Sequence, residues 1–306
     1  MNLKINLTGK FFLISFSVAL VTIFLKTTPA KACIFNCPGT YKTNDGNFAL
    51  RTGTKSGFQF HVNYMDQKKH NFSYIKDKIR ARAGDYFQQF ELRDGDCFSD
   101  DNWSDCKTDR ERIELSAKPR QLPRNKQCYG YSLKLSENFI DISPSKTELG
   151  QVHQIGGPSG EAGGFASFPP LIQISADGGA LFFYWHVLTG SASNVQDKVR
   201  SFRLKWLDEM LEVWTDISFC LDFGNHRIEA WVDGVQKVKL SKSPINFNLK
   251  PQNIYFKHGI YRSFISKYKK NHKSLPTQIV FYDEIRRGNS IEEVDIIINP
   301  SLKAVD

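Results

Sequence analysis

The stretch Tyr255-Phe256-Lys257-His258-Gly259-Ile260-Tyr261 has the most informative pattern in the chain. Side chains alternate across a β-strand, so its first, third, fifth and seventh residues share one face. That face carries two phenols, an ammonium group and a glycine, which leaves room for a ligand to approach the backbone. The second and sixth residues are apolar and predict a face in the core. The pattern therefore predicts a β-strand that presents functional groups, with a plain edge strand as the alternative.

Short segments with the same alternation recur from Phe48 onward. They are rich in β-branched and aromatic residues, and Gly, Asn, Asp and Pro separate them, as is typical of strands and turns. Asp233-Gly234 predicts a tight hairpin, and residues 294–298 are predicted as a further strand. No segment has a sustained helical period. The sequence therefore predicts an all-β protein, a β-sandwich or jelly roll of two antiparallel sheets. We expect a single domain over residues 33–306.

The first 32 residues have the pattern of a signal peptide. Lys4 and Lys10 precede an apolar run from Phe11 to Leu25, and Ala30-Lys31-Ala32 matches a small-residue cleavage site. The apolar run is short for a membrane span. The leader holds four lysines and no acidic residue, so its removal lowers the net charge from +9 to +5. We expect a secreted or periplasmic monomer with a polyanionic partner, no nucleic-acid partner and no membrane contact after signal cleavage.

The six cysteines all follow the predicted leader, and an even count in a secreted chain indicates disulfide bonds. Cys97 and Cys106 bracket a short acidic loop and are the predicted pair. Cys33 with Cys37 would be a cramped pair, and the pairing of Cys128 and Cys220 is left open. The aspartates of the acidic loop could bind calcium. They lack the EF-hand spacing, however, so we favour a solvated loop and expect no required cofactor or metal.

Two other stretches place functional groups at alternate positions. In Arg110-Glu111-Arg112-Ile113-Glu114-Leu115, the side chains of Arg112 and Glu114 share a face, and arginine can bind a carboxylate with two parallel hydrogen bonds. In Gln151-Val152-His153-Gln154-Ile155, the side chains of Gln151 and His153 share a face. Each stretch alone is also explained by an ion pair or a structural histidine. Three polar strand faces in one chain favour a common site.

These groups match the needs of β-elimination on a uronic acid, which requires a neutralised carboxylate, a base and an acid. Arg112 and Gln151 could bind the carboxylate. His153 or Tyr261 could take the C5 proton, and Tyr261 could protonate the leaving oxygen. Lys257 could lower the pKa of the phenol or hold the anion. The reaction needs no metal and no organic cofactor.

In their order along the chain, Arg112-Ile113-Glu114-Leu115, Gln151-Val152-His153 and the stretch from Tyr255 to Tyr261 resemble the three signature strands of a known group of enzymes. These are the alginate-lyase and heparinase-I-like polysaccharide lyases. The resemblance implies a concanavalin A-like β-jelly roll with a substrate groove on its concave sheet. It also implies that Arg112 and Gln151 neutralise the uronate carboxylate, that His153 assists as base, and that Tyr261 is the acid/base. In the heparinase-I-like enzymes a lysine acts together with a glutamine, a histidine and a tyrosine, so the resemblance adds Lys257 to the expected catalytic residues.

The remainder of the chain resembles the heparinase-I-like and glucuronan-lyase branch, through Gly259-Ile260-Tyr261-Arg262 and the segment from Pro276 to Glu284. Glu114, Tyr255, Arg262 and Trp185 are the predicted substrate-binding residues. Departures from the alginate-lyase motifs leave open whether the uronate chain is glucuronan, alginate or a heparin-like chain, and whether cleavage is endo or exo.

Two alternative functions fit the same fold. A non-catalytic, lectin-like carbohydrate-binding jelly roll would keep the groove, but it would not need Arg112, His153, Lys257 and Tyr261 together. A jelly-roll glycoside hydrolase needs two carboxylates about 5–5.5 Å apart. A Glu-x-Asp-x-x-Glu strand would supply them, and the sequence contains none.

Overall fold

The structure, a computed structural model, describes residues 40–42, 48–51, 57–60, 68–99, 104–118, 126–155, 169–191, 194–241 and 253–305. The predicted signal peptide over residues 1–32 lies outside the described residues, as do Cys33 and Cys37.

Nearly all regular structure in the described residues is β-strand. The strands are β1 Thr40–Lys42, β2 Phe48–Arg51, β3 Gly57–Phe60, β4 Phe72–Lys76, β5 Tyr86–Leu92, β6 Arg110–Lys118, β7 Lys126–Leu135, β8 Lys146–Ile155, β9 Ile172–Asp177, β10 Ala180–Ser191, β11 Asn194–Trp206, β12 Thr215–Asp222, β13 Arg227–Val232, β14 Val235–Leu240, β15 Asn253–Ser263 and β16 Gln278–Gly288. A short helix, α1, spans Ile265–Lys269, and 3₁₀ turns span Cys106–Thr108, Asp208–Met210 and Ile291–Glu293. None of the described helical segments has the length and apolar character needed to span a membrane.

The strands form two antiparallel sheets that pack face to face. The larger sheet has nine strands in the order β1-β2-β3-β6-β15-β8-β9-β10-β11, and the smaller has seven in the order β14-β13-β12-β7-β16-β5-β4. Apolar side chains from the inner faces of both sheets, such as Ile113, Phe256, Phe90 and Phe219, form one continuous core. The all-β sandwich predicted from the alternating pattern is confirmed.

Two local predictions have opposite outcomes. Asp233 and Gly234 have φ angles of 50° and 74° and join β13 to β14, so the predicted hairpin is confirmed. The strand predicted for residues 294–298 is wrong, because a 3₁₀ turn and further turns follow β16 there. Val294 instead packs with Ile291 against Cys128 and Cys220. Its apolar side chain therefore covers the outer side of the smaller sheet.

Two disulfide bonds join described residues. Cys97 and Cys106 are bonded, with their Cα atoms 5.1 Å apart, as the sequence predicted. Cys128 and Cys220 form the second bond, which the sequence left open. These two cysteines are directly paired in the register of β7 and β12, so this bond ties neighbouring strands of the smaller sheet.

Candidate active site

The three stretches that carry functional groups form three adjacent strands. β15 lies between β6 and β8 in the larger sheet and pairs with both in antiparallel register. Lys257 pairs with Gln151 on one side, and Tyr261 pairs with Arg112 on the other. The side chains of these residues lie on the face that points away from the core. The structure thus brings the predicted polar strand faces together into one surface.

Gly259 occupies a bulge at the centre of this surface. The β15–β8 register shifts between Lys257 and Tyr261, and Gly259 has a φ of +129°. A Cβ atom there would lie 2.3 Å from the Ile113 carbonyl oxygen. The Tyr282 hydroxyl, from the smaller sheet, lies 2.8 Å from the Gly259 carbonyl oxygen and can donate to it. Close packing of β15 against β6 therefore explains the glycine at this position, and the approach of a ligand suggested by the sequence stays a prediction.

Glu114 is the centre of a buried polar cluster. Its carboxylate accepts hydrogen bonds from Lys257 Nζ at 3.2 Å and from Gln151 Nε2, and it lies 3.5 Å from Arg112 Nη1. The side chains of Glu114 and Lys257 are each 2% exposed. Burial lowers the pKa of Lys257 to about 8, although Glu114 opposes the shift. Lys257 is therefore mostly an ammonium ion at neutral pH, and Glu114 keeps it so.

Replacing Glu114 with Gln is expected to weaken both folding and the charge of Lys257. The change leaves Lys257 and Arg112 with less negative charge at a buried site, which typically costs about 3 kcal/mol or more of unfolding free energy. The pKa of Lys257 should also fall further, because Glu114 holds it up. Urea denaturation at neutral pH measures the first effect. Glu137→Gln, at an exposed carboxylate, is the control, and equal midpoints for the two variants would contradict the central role of Glu114.

Tyr261 lies between two arginines. Its hydroxyl accepts a hydrogen bond from Arg110 Nε at 2.6 Å, and the Arg112 guanidinium lies 4.4 Å from the centre of its ring. Burial raises the pKa of Tyr261 above its ordinary value, while Arg112 and Arg110 act in the opposite direction. Tyr261 is therefore a phenol at neutral pH. The two arginines lower the free energy of its phenolate form, which is what a group that both gives and takes a proton needs.

Arg112 does not offer its guanidinium fork to a ligand, contrary to the sequence-based expectation. Its Nε and Nη2 atoms donate to the two carboxylate oxygens of Asp105, each at 2.6 Å. Asp105 is fully buried and adjoins Cys106, so the Cys97–Cys106 disulfide anchors the segment that holds it. Arg112 can therefore act on an anion through its positive charge, but its bidentate contact is already used.

The described aspartates of the acidic loop pair with cations and hydrogen-bond donors. Asp96 accepts from Lys68 Nζ at 2.6 Å and from the Arg93 amide at 2.8 Å, and Asp109 accepts from the Ser266 amide at 2.8 Å. Within the described ranges, no group of three or more His, Cys, Asp or Glu side chains is arranged to hold a metal ion. The described part of the loop holds Asp105 next to Arg112 of β6.

His153 lies on β8, at the other end of the polar surface from Tyr261. It pairs with Tyr255 in the β15–β8 register, and the two rings stack with their centres 5.6 Å apart. His153 Nδ1 lies 2.8 Å from the Gln154 amide nitrogen and 3.0 Å from the Gln154 carbonyl oxygen. One tautomer would therefore make Nε2 a proton acceptor and the other would make it a donor. His153 is partly exposed, whereas Tyr255 is buried.

Two predicted substrate-binding residues point into the protein interior. Arg262 follows Tyr261 on β15, so its side chain is on the core face, where it is 0% exposed. There it binds Glu111 at 3.0 Å and the Leu92 carbonyl oxygen at 2.6 Å, and so links the two sheets. Trp185 is 2% exposed and belongs to the main core cluster. Neither side chain has the surface needed to contact a sugar, and the expectation that they bind substrate is corrected.

The sequence interpretation missed three residues that contact or face the candidate site. Arg110 shares a face with Arg112 by the same alternation, so the pattern could have revealed it. Asp105 belongs to a loop that was interpreted as solvated, and its burial depends on tertiary packing. Glu148 pairs with Tyr261 in the β15–β8 register. A bulge beside it interrupts the alternation in β8, so its position could not be deduced from spacing.

Comparisons with known proteins agree with the fold and identify a family. A family model described as polysaccharide lyase matches residues 50–286. No curated protein matches the sequence. Among solved structures, the chain is similar to an endo-β-1,4-glucuronan lyase from the fungus Trichoderma reesei, with a TM-score of 0.52, 16% identity, and coverage of 75% of this chain and 92% of the other. It is also similar to the alginate lyase AlyC3, with a TM-score of 0.50, 14% identity, and coverage of 78% and 90%. At these identities the structural likeness demonstrates a shared fold.

Proposed function

Since the chain belongs to the polysaccharide lyase family, we propose that it cleaves a uronate-containing acidic polysaccharide by β-elimination at the surface formed by β6, β15 and β8. The observation that carries this proposal is the convergence of Arg110, Arg112, Lys257 and Tyr261 on one face of three adjacent strands. A phenol surrounded by cationic side chains is suited to proton transfer next to an anionic substrate.

Neutralisation of the uronate carboxylate is assigned to the local positive charge. Three cationic side chains, Arg110, Arg112 and Lys257, lie with two carboxylates, Glu114 and Asp105. The excess positive charge lowers the energy of the carboxylate and of the enolate-like anion that forms when the C5 proton leaves. Gln151 and Lys257 are buried. In this proposal they support the site from beneath, while the partly exposed Tyr261, Arg112 and His153 face the substrate.

The proton transfers follow from the states of Tyr261 and His153. Loss of the C5 proton gives a carbanion, the C4–O bond breaks as the C4–C5 double bond forms, and the leaving oxygen takes a proton. Tyr261, a phenol at neutral pH, is the acid for the last step. On a sugar whose C5 proton and C4 oxygen share a face, Tyr261 as phenolate is also the base. On a sugar where they lie on opposite faces, His153 Nε2 takes the C5 proton.

The two similar solved structures guide the choice of substrate. One is a glucuronan lyase and the other an alginate lyase, so glucuronan and alginate are the first candidates, followed by heparin-like chains. The signal-peptide pattern of residues 1–32 and the two disulfide bonds support a secreted or periplasmic protein with one lyase domain. Such a location suits an enzyme that acts on a polymer outside the cytoplasm.

The proposal is tested by incubating the purified protein with glucuronan, alginate, a heparin-like chain and a neutral glucan. β-Elimination leaves a C4–C5 double bond conjugated with the carboxylate, which absorbs in the ultraviolet. We expect this absorbance to rise with at least one polyuronate and to stay constant with the neutral glucan. Binding of a polyuronate without new absorbance would contradict the proposal and favour a carbohydrate-binding function. New reducing ends without absorbance would contradict it in favour of hydrolysis.

A further inference from the structure

Glu148 is a buried carboxyl group beside the proposed acid/base residue. It pairs with Tyr261 in the β15–β8 register, and the residue is only 2% exposed. Its Oε1 atom accepts hydrogen bonds from Ser263 Oγ at 3.1 Å and from Gln173 Nε2 at 3.3 Å. Its Oε2 atom is buried and has no hydrogen-bond partner among the described residues. The proton transfers proposed for Tyr261 and His153 do not use this carboxyl group.

The groups around Glu148 do not supply a counter-ion. On the adjacent strands it faces Tyr261 of β15 and Gln173 of β9. One strand further on either side, it interacts with Tyr184 of β10 and with the carboxylate of Glu114 of β6. No ion pair within 4.0 Å joins Glu148 to a cation in the described part of the chain.

The nearest cation on the same strand is engaged elsewhere. Lys146 favours the carboxylate form of Glu148 but burial outweighs it, and the Lys146 ammonium lies 3.6 Å from the Asp177 carboxylate and 3.9 Å from the centre of the Tyr184 ring. A buried carboxylate without a partner is costly, so the neutral acid is favoured. Consistent with this, burial raises the pKa of Glu148 to about 7.

We propose that Glu148 is a positioning residue for Tyr261, which serves the reaction as an uncharged carboxylic acid and weakens it when ionised. The inference rests on the proposed function, because it gives Tyr261 the acid/base role. Gln173 fixes the position of the carboxyl group. The Gln173 side chain is itself fixed, since Gln173 Oε1 lies 2.8 Å from His186 Nε2, and His186 Nδ1 lies 2.8 Å from the Asp197 carboxylate.

Ionisation of Glu148 would oppose the reaction in two ways. A negative charge beside Tyr261 raises the pKa of the phenol, which makes it a weaker acid and its phenolate harder to form. It would also add a third carboxylate to Glu114 and Asp105, and so cancel the excess positive charge of the site. Both effects act on catalysis at high pH, and neither depends on a change in the fold.

The test compares pH profiles of kcat/KM for the wild-type protein and Glu148→Gln, which keeps the shape of the side chain and cannot ionise. We expect the ratio of variant to wild-type activity to rise about tenfold between pH 6 and pH 9, equivalent to about one unit in the pKa of Tyr261. Lys257 is present in both proteins, so the ratio of their activities reports the change at the carboxyl group. Glu209→Gln, at an exposed site, is the matched control. A ratio that is constant with pH would overturn the proposal.

A second measurement does not depend on activity. In protein labelled with ¹³C at glutamate carboxyl carbons, the resonance missing from Glu148→Gln belongs to Glu148, and we expect it to titrate near pH 7. Ser263→Ala should raise the pKa of Glu148, because the Ser263 hydroxyl stabilises the carboxylate. If Glu148→Gln does not fold, the resonance that shifts in Ser263→Ala identifies Glu148 instead. Titration near the ordinary value for glutamate would overturn the inference. A wild-type protein that forms no unsaturated product would instead refute the proposed function and leave this titration informative.

Discussion

Tyr261→Phe is expected to lower kcat/KM on the uronate substrate by about 10³-fold, within the range that general acid–base groups contribute. The change removes only the hydroxyl that accepts from Arg110 Nε at 2.6 Å, while the ring can keep its contact with the Arg112 guanidinium. Substrate binding and thermal stability should therefore change little. The measurement is the rate of unsaturated product formation, together with the dissociation constant of the intact polysaccharide.

Tyr184→Phe is the matched control for this prediction. Tyr184 lies in the same sheet as Tyr261, on β10 rather than β15. Its hydroxyl donates to Asp177 Oδ2 at 2.8 Å. Tyr184→Phe removes the same hydroxyl group from a residue outside the proposed catalytic set, so most activity should remain. If Tyr261→Phe kept wild-type activity, the assignment of the acid/base role would be wrong. If both variants lost activity equally, the effect would belong to the sheet rather than to Tyr261.

Gly259→Ala is expected to have the largest effect on stability, a loss of about 4 kcal/mol or more of unfolding free energy. The new Cβ atom would lie 2.3 Å from the Ile113 carbonyl oxygen and 2.9 Å from the Glu114 Cα atom, both in the backbone of the adjacent strand. The backbone cannot yield without separating β15 from β6. The φ of +129° adds strain for any residue with a side chain. Urea denaturation, or failure to accumulate soluble protein, measures the result.

Gly95→Ala separates the two causes. Gly95 has a φ of +83°, but nothing lies within 4 Å of the position of its Cβ atom. The control therefore tests backbone strain without overlap and should cost about 1–2 kcal/mol. Stability of Gly259→Ala equal to that of Gly95→Ala would show that the strands can separate, and that close packing is not the reason for glycine at the bulge.

The alternation of side chains along β15 was sufficient to predict its two faces. Phe256 and Ile260 are buried in the core, while Lys257 and Tyr261 belong to the opposite surface. The same rule holds for β6 and for the part of β8 from Gln151 onward. A strand has a period of two, so local sequence decides which residues share a face wherever the strand is regular.

The same rule, applied consistently, would have excluded Arg262. It has the parity of Ile260 and is buried against Glu111, but its charge suggested a role in binding. A buried ion pair between two neighbouring strands depends on the register in which they pair, and no single strand shows which carboxylate an arginine will meet. Trp185 was also assigned wrongly, because an indole ring suits either packing in the core or stacking on a sugar.

The sequence by itself determined the fold class and which side chains of the three functional strands share a face, because these follow from local periodicity. It did not determine that Asp105 occupies the fork of Arg112, that Glu114 joins Lys257 to Gln151, or that Glu148 lies beside Tyr261. These contacts join residues from different strands and loops. Register and bulges decide them, and both are set by the packing of the two sheets, as the Gly259 bulge against Ile113 illustrates.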